Sequence, residues 1–132
     1  MRKRLVLIGL AASTLFFCFA CSSEWASQKS PDGRFTLQPS IHEKSLVRLT
    51  VVRSSDGAVV DTLDTRESDA MKWVAGWAGD DTVVFWGSDS GSLRARRVVG
   101  DTWEDATVGV GECRRLDELF ADKYRERRTL CR

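Results

Sequence analysis

Read by its apolar and polar positions, the chain falls into stretches of different period. Leu5 to Ala20 is a run of 16 residues without a charge, preceded by Arg2-Lys3-Arg4. Residues 22 to 30 are small and polar apart from Trp25. From Pro31 onward, short apolar runs and alternations lie between turn residues, the pattern of strands. In Leu46 to Arg53, Val47, Leu49 and Val51 alternate with Arg48, Thr50 and Val52, which predicts one buried and one wet face. Phe35 to Gln38, Ala58 to Leu63, a short strand flanked by Trp73 and Trp77, Thr82 to Trp86 and Leu93 to Val99 bring the set to about six. Pro31-Asp32-Gly33, Ser55-Asp56-Gly57, Asp80-Asp81, Ser88 to Ser92 and Gly100-Asp101 supply the turns. The acidic stretch Asp61 to Asp69 reads as the longest loop. The C-terminal piece changes period: Leu116, Leu119, Phe120 and Tyr124 fall on one helical face, with acids early and Arg125, Arg127 and Arg128 late, as the helix dipole favours. The expected fold is mainly β, a small antiparallel meander or sandwich with a short C-terminal helix packed on it.

Composition narrows the class. A chain of 132 residues that is 42% hydrophobic and 30% charged has the makeup of a globular protein with one domain. Twenty basic groups against 19 acidic ones exclude a nucleic-acid binder working by bulk positive charge. The basic cluster followed by the apolar run is the pattern of a secretory signal. Sixteen apolar residues fall short of the ~20 that a spanning helix needs, which leaves a permanent membrane anchor as the weaker alternative. Loss of the leader removes three basic groups and no acidic ones, so the remainder carries 17 against 19, a formal −2. Attraction to anionic lipid is then not what would hold it to a membrane.

The run ends in Cys18-Phe19-Ala20-Cys21-Ser22-Ser23. This resembles the lipobox of bacterial lipoproteins, in which a small residue precedes the cysteine that is acylated and becomes the new N-terminus. Ala20 and Cys21 match that pattern; Cys18 stands where the family usually has Leu, and Phe19 where it has a small residue. The resemblance implies a signal peptide over residues 1–20, a lipidated tether over 21–30 with acylated Cys21 as its bilayer anchor, and a single domain over 31–132. Trp25 would rest at the headgroup level or pack on the domain. Ser22 after Cys21 resembles lipoproteins sorted to the outer rather than the inner membrane. Ordinary secretory cleavage after Ala20 is the competing reading.

Cysteine counting bears on that choice. Export removes Cys18, and acylation of Cys21 leaves Cys113 and Cys131 as a single pair, expected to form a disulfide in an oxidising compartment. A helix running straight from Arg114 to Arg128 would hold its ends ~22 Å apart at 1.5 Å per residue. Disulfide-linked Cα atoms lie within about 7 Å, so the helix is expected to end near Tyr124 or Arg125 and the chain to turn back. Two free thiols on a longer helix are the alternative.

Two segments of the remainder are alike. Ser30-Pro31-Asp32-Gly33-Arg34-Phe35 aligns with Trp77-Ala78-Gly79-Asp80-Asp81-Thr82-Val83-Val84-Phe85-Trp86, Asp32 against Asp80. Both resemble blades of TolB-like and WD-repeat propellers, where a Pro-Asp-Gly turn precedes an apolar strand, and Ser88-Asp89-Ser90-Gly91 continues the likeness. The resemblance implies two blade-like units, since a closed propeller takes at least four blades.

Candidate chemistry is sparse. His42 is the one histidine, beside Glu43 and without a spaced second ligand. The chain has no Gly-x-Ser-x-Gly elbow or His-Glu-x-x-His motif, and Cys113 and Cys131 lack Cys-x-x-Cys spacing, so no catalytic residue, metal or cofactor is assigned. Asp80-Asp81 and the group Asp61, Asp64, Glu67 and Asp69 are carboxylates available for calcium or glycoside cleavage, with turn solvation as their ordinary explanation. Trp73, Trp77, Trp86 and Trp103 are candidates for a ligand platform or for the core. Arg94, Arg96 and Arg97 crowd one strand, expected as a solvated sheet edge or as a patch for an acidic partner. The expected function is that of an envelope lipoprotein acting by protein binding without catalysis, such as an immunity protein facing a toxin or an assembly accessory. A ligand- or carbohydrate-binding module and a small hydrolase with paired carboxylates are the alternatives.

Overall fold

The computed structural model describes residues 25–131, which form eight strands and one helix. Cys21 and the apolar run before it lie outside the described residues. The first antiparallel sheet is a meander of β1 (Gln28–Lys29), β2 (Phe35–His42), β3 (Leu46–Arg53) and β4 (Val59–Ser68). The second repeats that order with β5 (Trp73–Trp77), β6 (Thr82–Gly87), β7 (Leu93–Val99) and β8 (Thr102–Ala106). Helix α1 (Val110–Tyr124) follows. The mainly β expectation with a C-terminal helix holds, with eight strands where six are legible in the pattern.

Two apolar clusters stack the elements in three layers. Phe35, Leu37, Val47, Leu49, Val51 and Leu63 of the first sheet meet Trp73, Ala75, Trp77, Val83 and Phe85 of the second. Val74, Val84, Trp86 and Ala95, on the opposite face of that second sheet, meet Leu116 and Phe120 of α1. The second sheet is therefore covered on both faces, and every residue of β5 and β6 is buried. That explains their unbroken apolar runs, in contrast to β3, where burial alternates from Leu46 to Val51. Gly76 lets α1 come this close, because a Cβ there would lie 2.8 Å from a methyl of Leu119.

The outer edge of β5 is closed by side chains. Tyr124 Oη accepts from the Trp73 N–H at 2.8 Å and donates to its carbonyl at 2.9 Å. Lys123 Nζ donates to the same carbonyl at 2.6 Å, Gln28 Nε2 to that of Ala75 at 3.3 Å, and Arg115 Nε to that of Trp77 at 2.8 Å. Four backbone groups on an edge that would template another strand are thereby paired.

Three expectations are corrected. Asp61 to Asp69 is not a loop: most of it is the second half of β4, which the chain reaches through irregular pairing between Leu46 and Arg48. The irregularity places Arg66 at φ 60° and turns Glu67 fully inward. Its polarity disguised it, because a bulged strand breaks the period of two. Gln28–Lys29, expected in the tether, pairs with Leu37 and Thr36, and Trp25 packs on Trp73 with ring centroids 5.2 Å apart. Finally β7, which carries Arg94, Arg96 and Arg97, is an interior strand between β6 and β8 rather than an edge.

The helix ends where the return of the chain requires. Arg125 adopts the left-handed conformation, φ 56°, and its N–H bonds the Ala121 carbonyl. The chain then runs back along α1, with the Leu130 N–H donating to Asp117 at 2.8 Å. Cys131 is bonded to Cys113 with Cα atoms 5.9 Å apart.

Candidate functional site

Strand polarity decides which turns meet. β2 begins, β3 ends, β4 begins, β7 ends and β8 begins at one end of the sandwich. Three turns distant in sequence therefore surround a groove of about 710 Å³ there. Phe35, Val60, Val98 and Trp103 form its apolar part, with Asp32, Arg34, Arg53 and Asp101 among the polar lining. The volume lies within the range of small-molecule pockets, and the groove is open at the domain surface.

Local hydrogen bonds hold each wall. Ser30, almost fully buried, accepts at Oγ from the Phe35 N–H at 3.1 Å and donates to Asp32 at 2.8 Å. Asp32 also receives the Arg34 backbone N–H at 3.1 Å and pairs with the Arg34 guanidinium. The second wall is the β3–β4 hairpin, where Asp56 receives the Ala58 N–H at 3.0 Å and Arg53 at 2.8 Å. Ser54 donates its N–H to the Arg34 carbonyl at 2.9 Å, which ties the two walls together. Beneath them Phe35 meets Trp103 edge-on with ring centroids 5.3 Å apart, and Trp77 lies 6.1 Å from Trp103. Arg34 lies over the Phe35 ring at 5.2 Å.

The rim has definite electrostatics. The Arg34 guanidinium holds the Asp32 carboxyl below the usual carboxylate range, and Asp32 in turn raises Arg34. The Ala58 N–H, followed by Arg53, lowers Asp56 in the same way. The walls thus present prepaired charges around an apolar floor, an arrangement suited to shape-specific docking. Among the described residues, no three histidine, cysteine, aspartate or glutamate side chains are placed to hold a metal ion.

The sequence-selected residues divide sharply. Trp73, Trp77 and Trp86 are 2%, 5% and 5% exposed, so their rings belong to the core, and only Trp103 reaches the groove. Arg96 pairs with Asp61 of the other sheet at 2.7 and 3.0 Å, with Asp105 at 3.3 Å, and donates to the Trp103 carbonyl. The bonds to Asp61 raise its pKa well above the ordinary value. Arg94 reaches the Asp64 carbonyl at 3.4 Å and Asp105 at 3.8 Å, while Arg97 pairs with Glu112 of α1 at 3.1 Å. Alternation along β7 thus sends Arg94 and Arg96 toward the first sheet and Arg97 toward the helix.

Of the suspected carboxylates, Asp61, Asp64 and Glu67 are occupied, and Asp81 accepts from the Thr82 hydroxyl at 3.1 Å. Asp80 is exposed in its turn and Asp69 is half-buried after β4. Asp61 and Asp64 are bonded to Arg96 and Arg48, the latter lowering the Asp64 pKa. Glu67 accepts from the N–H groups of Asp89 and Ser90 at 3.0 and 3.1 Å and from the Ser90 hydroxyl. His42 Nε2 lies 2.9 Å from Arg48 and 3.2 Å from Glu43.

Sequence reasoning missed Phe35, Val60 and Val98 as site residues, together with the charged rim. All three turns were visible, and counting strand directions would have put them at one end. The chain matches no family model, no curated protein and no solved structure.

Proposed function

We propose that this chain is an exported bacterial lipoprotein, held on the periplasmic side of the envelope by acylated Cys21, that binds another protein and catalyses no reaction. The carrying observation is the groove floored by Phe35, Val60, Val98 and Trp103, with Val59 and Val99 exposed beside it at 62% and 51%. Exposed apolar side chains grouped at one end of a small domain are costly in water, and a protein partner that covers them removes the cost. The paired groups on its two walls, Asp32 with Arg34 and Asp56 with Arg53, favour recognition by shape over chemistry. We read each four-stranded meander as one blade-like unit, and the pair as a platform for the turns between strands. An immunity protein or an assembly accessory fits this reading, on the outer membrane in preference to the inner.

Two experiments test it. Cys21→Ala should abolish incorporation of labelled fatty acid and leave unprocessed precursor; unchanged labelling overturns the lipoprotein reading. A photo-crosslinker at Ser54 should trap one polypeptide in cells, identified by mass, whose purified form binds at least tenfold more weakly to Val98→Asp than to the original protein. Equal binding to that variant, folded by circular dichroism, overturns the groove as the docking face. Saturable binding of a glycan or small molecule that Trp103→Ala abolishes would favour the ligand module instead.

A further inference from the structure

Trp25, the first described residue, lies at the end of the sandwich opposite the groove. Trp25 packs on Trp73, at the start of β5. Gln28 then bridges both sheets: its backbone pairs with Leu37, its carbonyl accepts from Trp77 Nε1 at 2.9 Å, and its side chain bonds the Ala75 carbonyl. Extended at that register, β1 leads back toward the level of Ile41. Ile41 and Met71 are 51% and 45% exposed there, apolar side chains at the tip of β2 and just before β5.

We propose that the domain stands end-on on the bilayer, with Ile41, Met71 and the Trp25 region at the headgroup level and the groove directed away. The proposal rests on acylation of Cys21. Only three residues separate Cys21 from Trp25, and four Cα steps reach at most ~14 Å at about 3.6 Å each. β2 alone, eight residues, spans ~26 Å at about 3.3 Å per residue. The attachment is therefore shorter than the domain is long, and the anchored end stays at the membrane.

Charge does not set this orientation. Glu43, Lys44, Arg66, Asp69, Lys72, Asp89, Lys123, Arg125 and Glu126 mix both signs at this end. Lys72 is paired with Glu126 and lies over the rings of Phe120 and Tyr124. What remains is a short leash beside two apolar contacts, which suits an interfacial lipid layer of any headgroup charge. A partner would meet the groove from the aqueous compartment, about the length of a strand above the lipid.

The test uses the full chain, acylated in a bacterial host and placed in nanodiscs with a paramagnetic headgroup lipid. After loss of the leader, Ile41 is the one isoleucine and Met71 the one methionine, so methyl labelling reports each as a single signal. Their relaxation should be enhanced severalfold more than that of the Val59 and Val99 methyls at the groove end, in zwitterionic and anionic discs alike. Equal or greater enhancement at Val59 and Val99 overturns the orientation. An asymmetry that appears only with anionic lipid overturns the leash as its cause. Intact mass on the same sample separates this from the reading beneath it: protein without acyl chains fails the lipoprotein assignment instead.

Discussion

Glu67 and Gly87 should behave as one unit in stability, although they lie in different sheets. Glu67 is fully buried, and its carboxyl accepts three hydrogen bonds from the β6–β7 turn at Asp89 and Ser90. Gly87 makes room for it: a Cβ at that position would lie 2.1 Å from Glu67 Cδ and 2.2 Å from Cγ. Glu67→Ala leaves the two turn N–H groups without their acceptor. An orphaned buried donor costs about 1–3 kcal/mol, and partial access of water to this turn keeps each near the lower value. Adding the lost packing of the side chain gives a destabilisation of about 2–4 kcal/mol. Gly87→Ala should cost a similar amount for the same reason, since the new methyl displaces the carboxyl from its donors. Once Glu67 is truncated that clash is gone, so the double variant should lose little more than either single one. The coupling energy should therefore be about 2 kcal/mol or more. Urea unfolding of the oxidised protein, followed by tryptophan fluorescence, measures all four corners of the cycle. Amide exchange at Asp89 and Ser90 should accelerate in both single variants. Losses that add within about 0.5 kcal/mol would refute the reasoning, because they would mean that Glu67 and Gly87 do not compete for the same space.

Other expectations follow from the same contacts. Replacing Cys113 and Cys131 by Ser should lower stability by about 3 kcal/mol for a closed loop of this size, measured by thermal unfolding beside the oxidised parent. Asp61→Ala removes the main partner of Arg96 between the sheets, whose side chains are 9% and 18% exposed. Because Asp105 and the Trp103 carbonyl remain, the cost in urea unfolding should be about 2 kcal/mol, below the 3–5 of a fully stranded buried charge. Arg125→Gly relieves the left-handed conformation at the helix end and should raise stability by up to about 1 kcal/mol in the same assay. Asp32, Asp56 and Asp64 have folded pKa values below their unfolded ones. Their contribution is complete above the unfolded value near ~3.9 and is lost as pH falls through the folded values. Stability should therefore decline below about pH 4, less steeply in Asp56→Asn and at high salt.

Much of the strand framework was legible because alternation is a local signal. Val47, Leu49 and Val51 announce their buried face within a single strand, and Leu116 and Phe120 theirs within one helix. Their placement in the core follows directly. The end of the helix was readable for a different reason: a covalent bond between Cys113 and Cys131 limits how far the intervening chain can run. The second half of β4 was not readable. Asp64, Arg66 and Glu67 look like loop residues until Arg48, the bulge and the β6–β7 turn are in place to receive them.

By itself the sequence determined the short-range matters: the strand periods, the turns, the helical stripe, the pairing of two cysteines and the charge balance. Each depends on residues close along the chain, or on covalent chemistry. Which partners the charged and aromatic groups would find was decided only by the tertiary structure. Arg96 meets Asp61 across the two sheets, Glu67 fills the space that Gly87 leaves, and three tryptophans go to the core while Trp103 goes to the groove. These outcomes depend on strand direction and on how two sheets and a helix stack, quantities that no window of neighbouring residues contains.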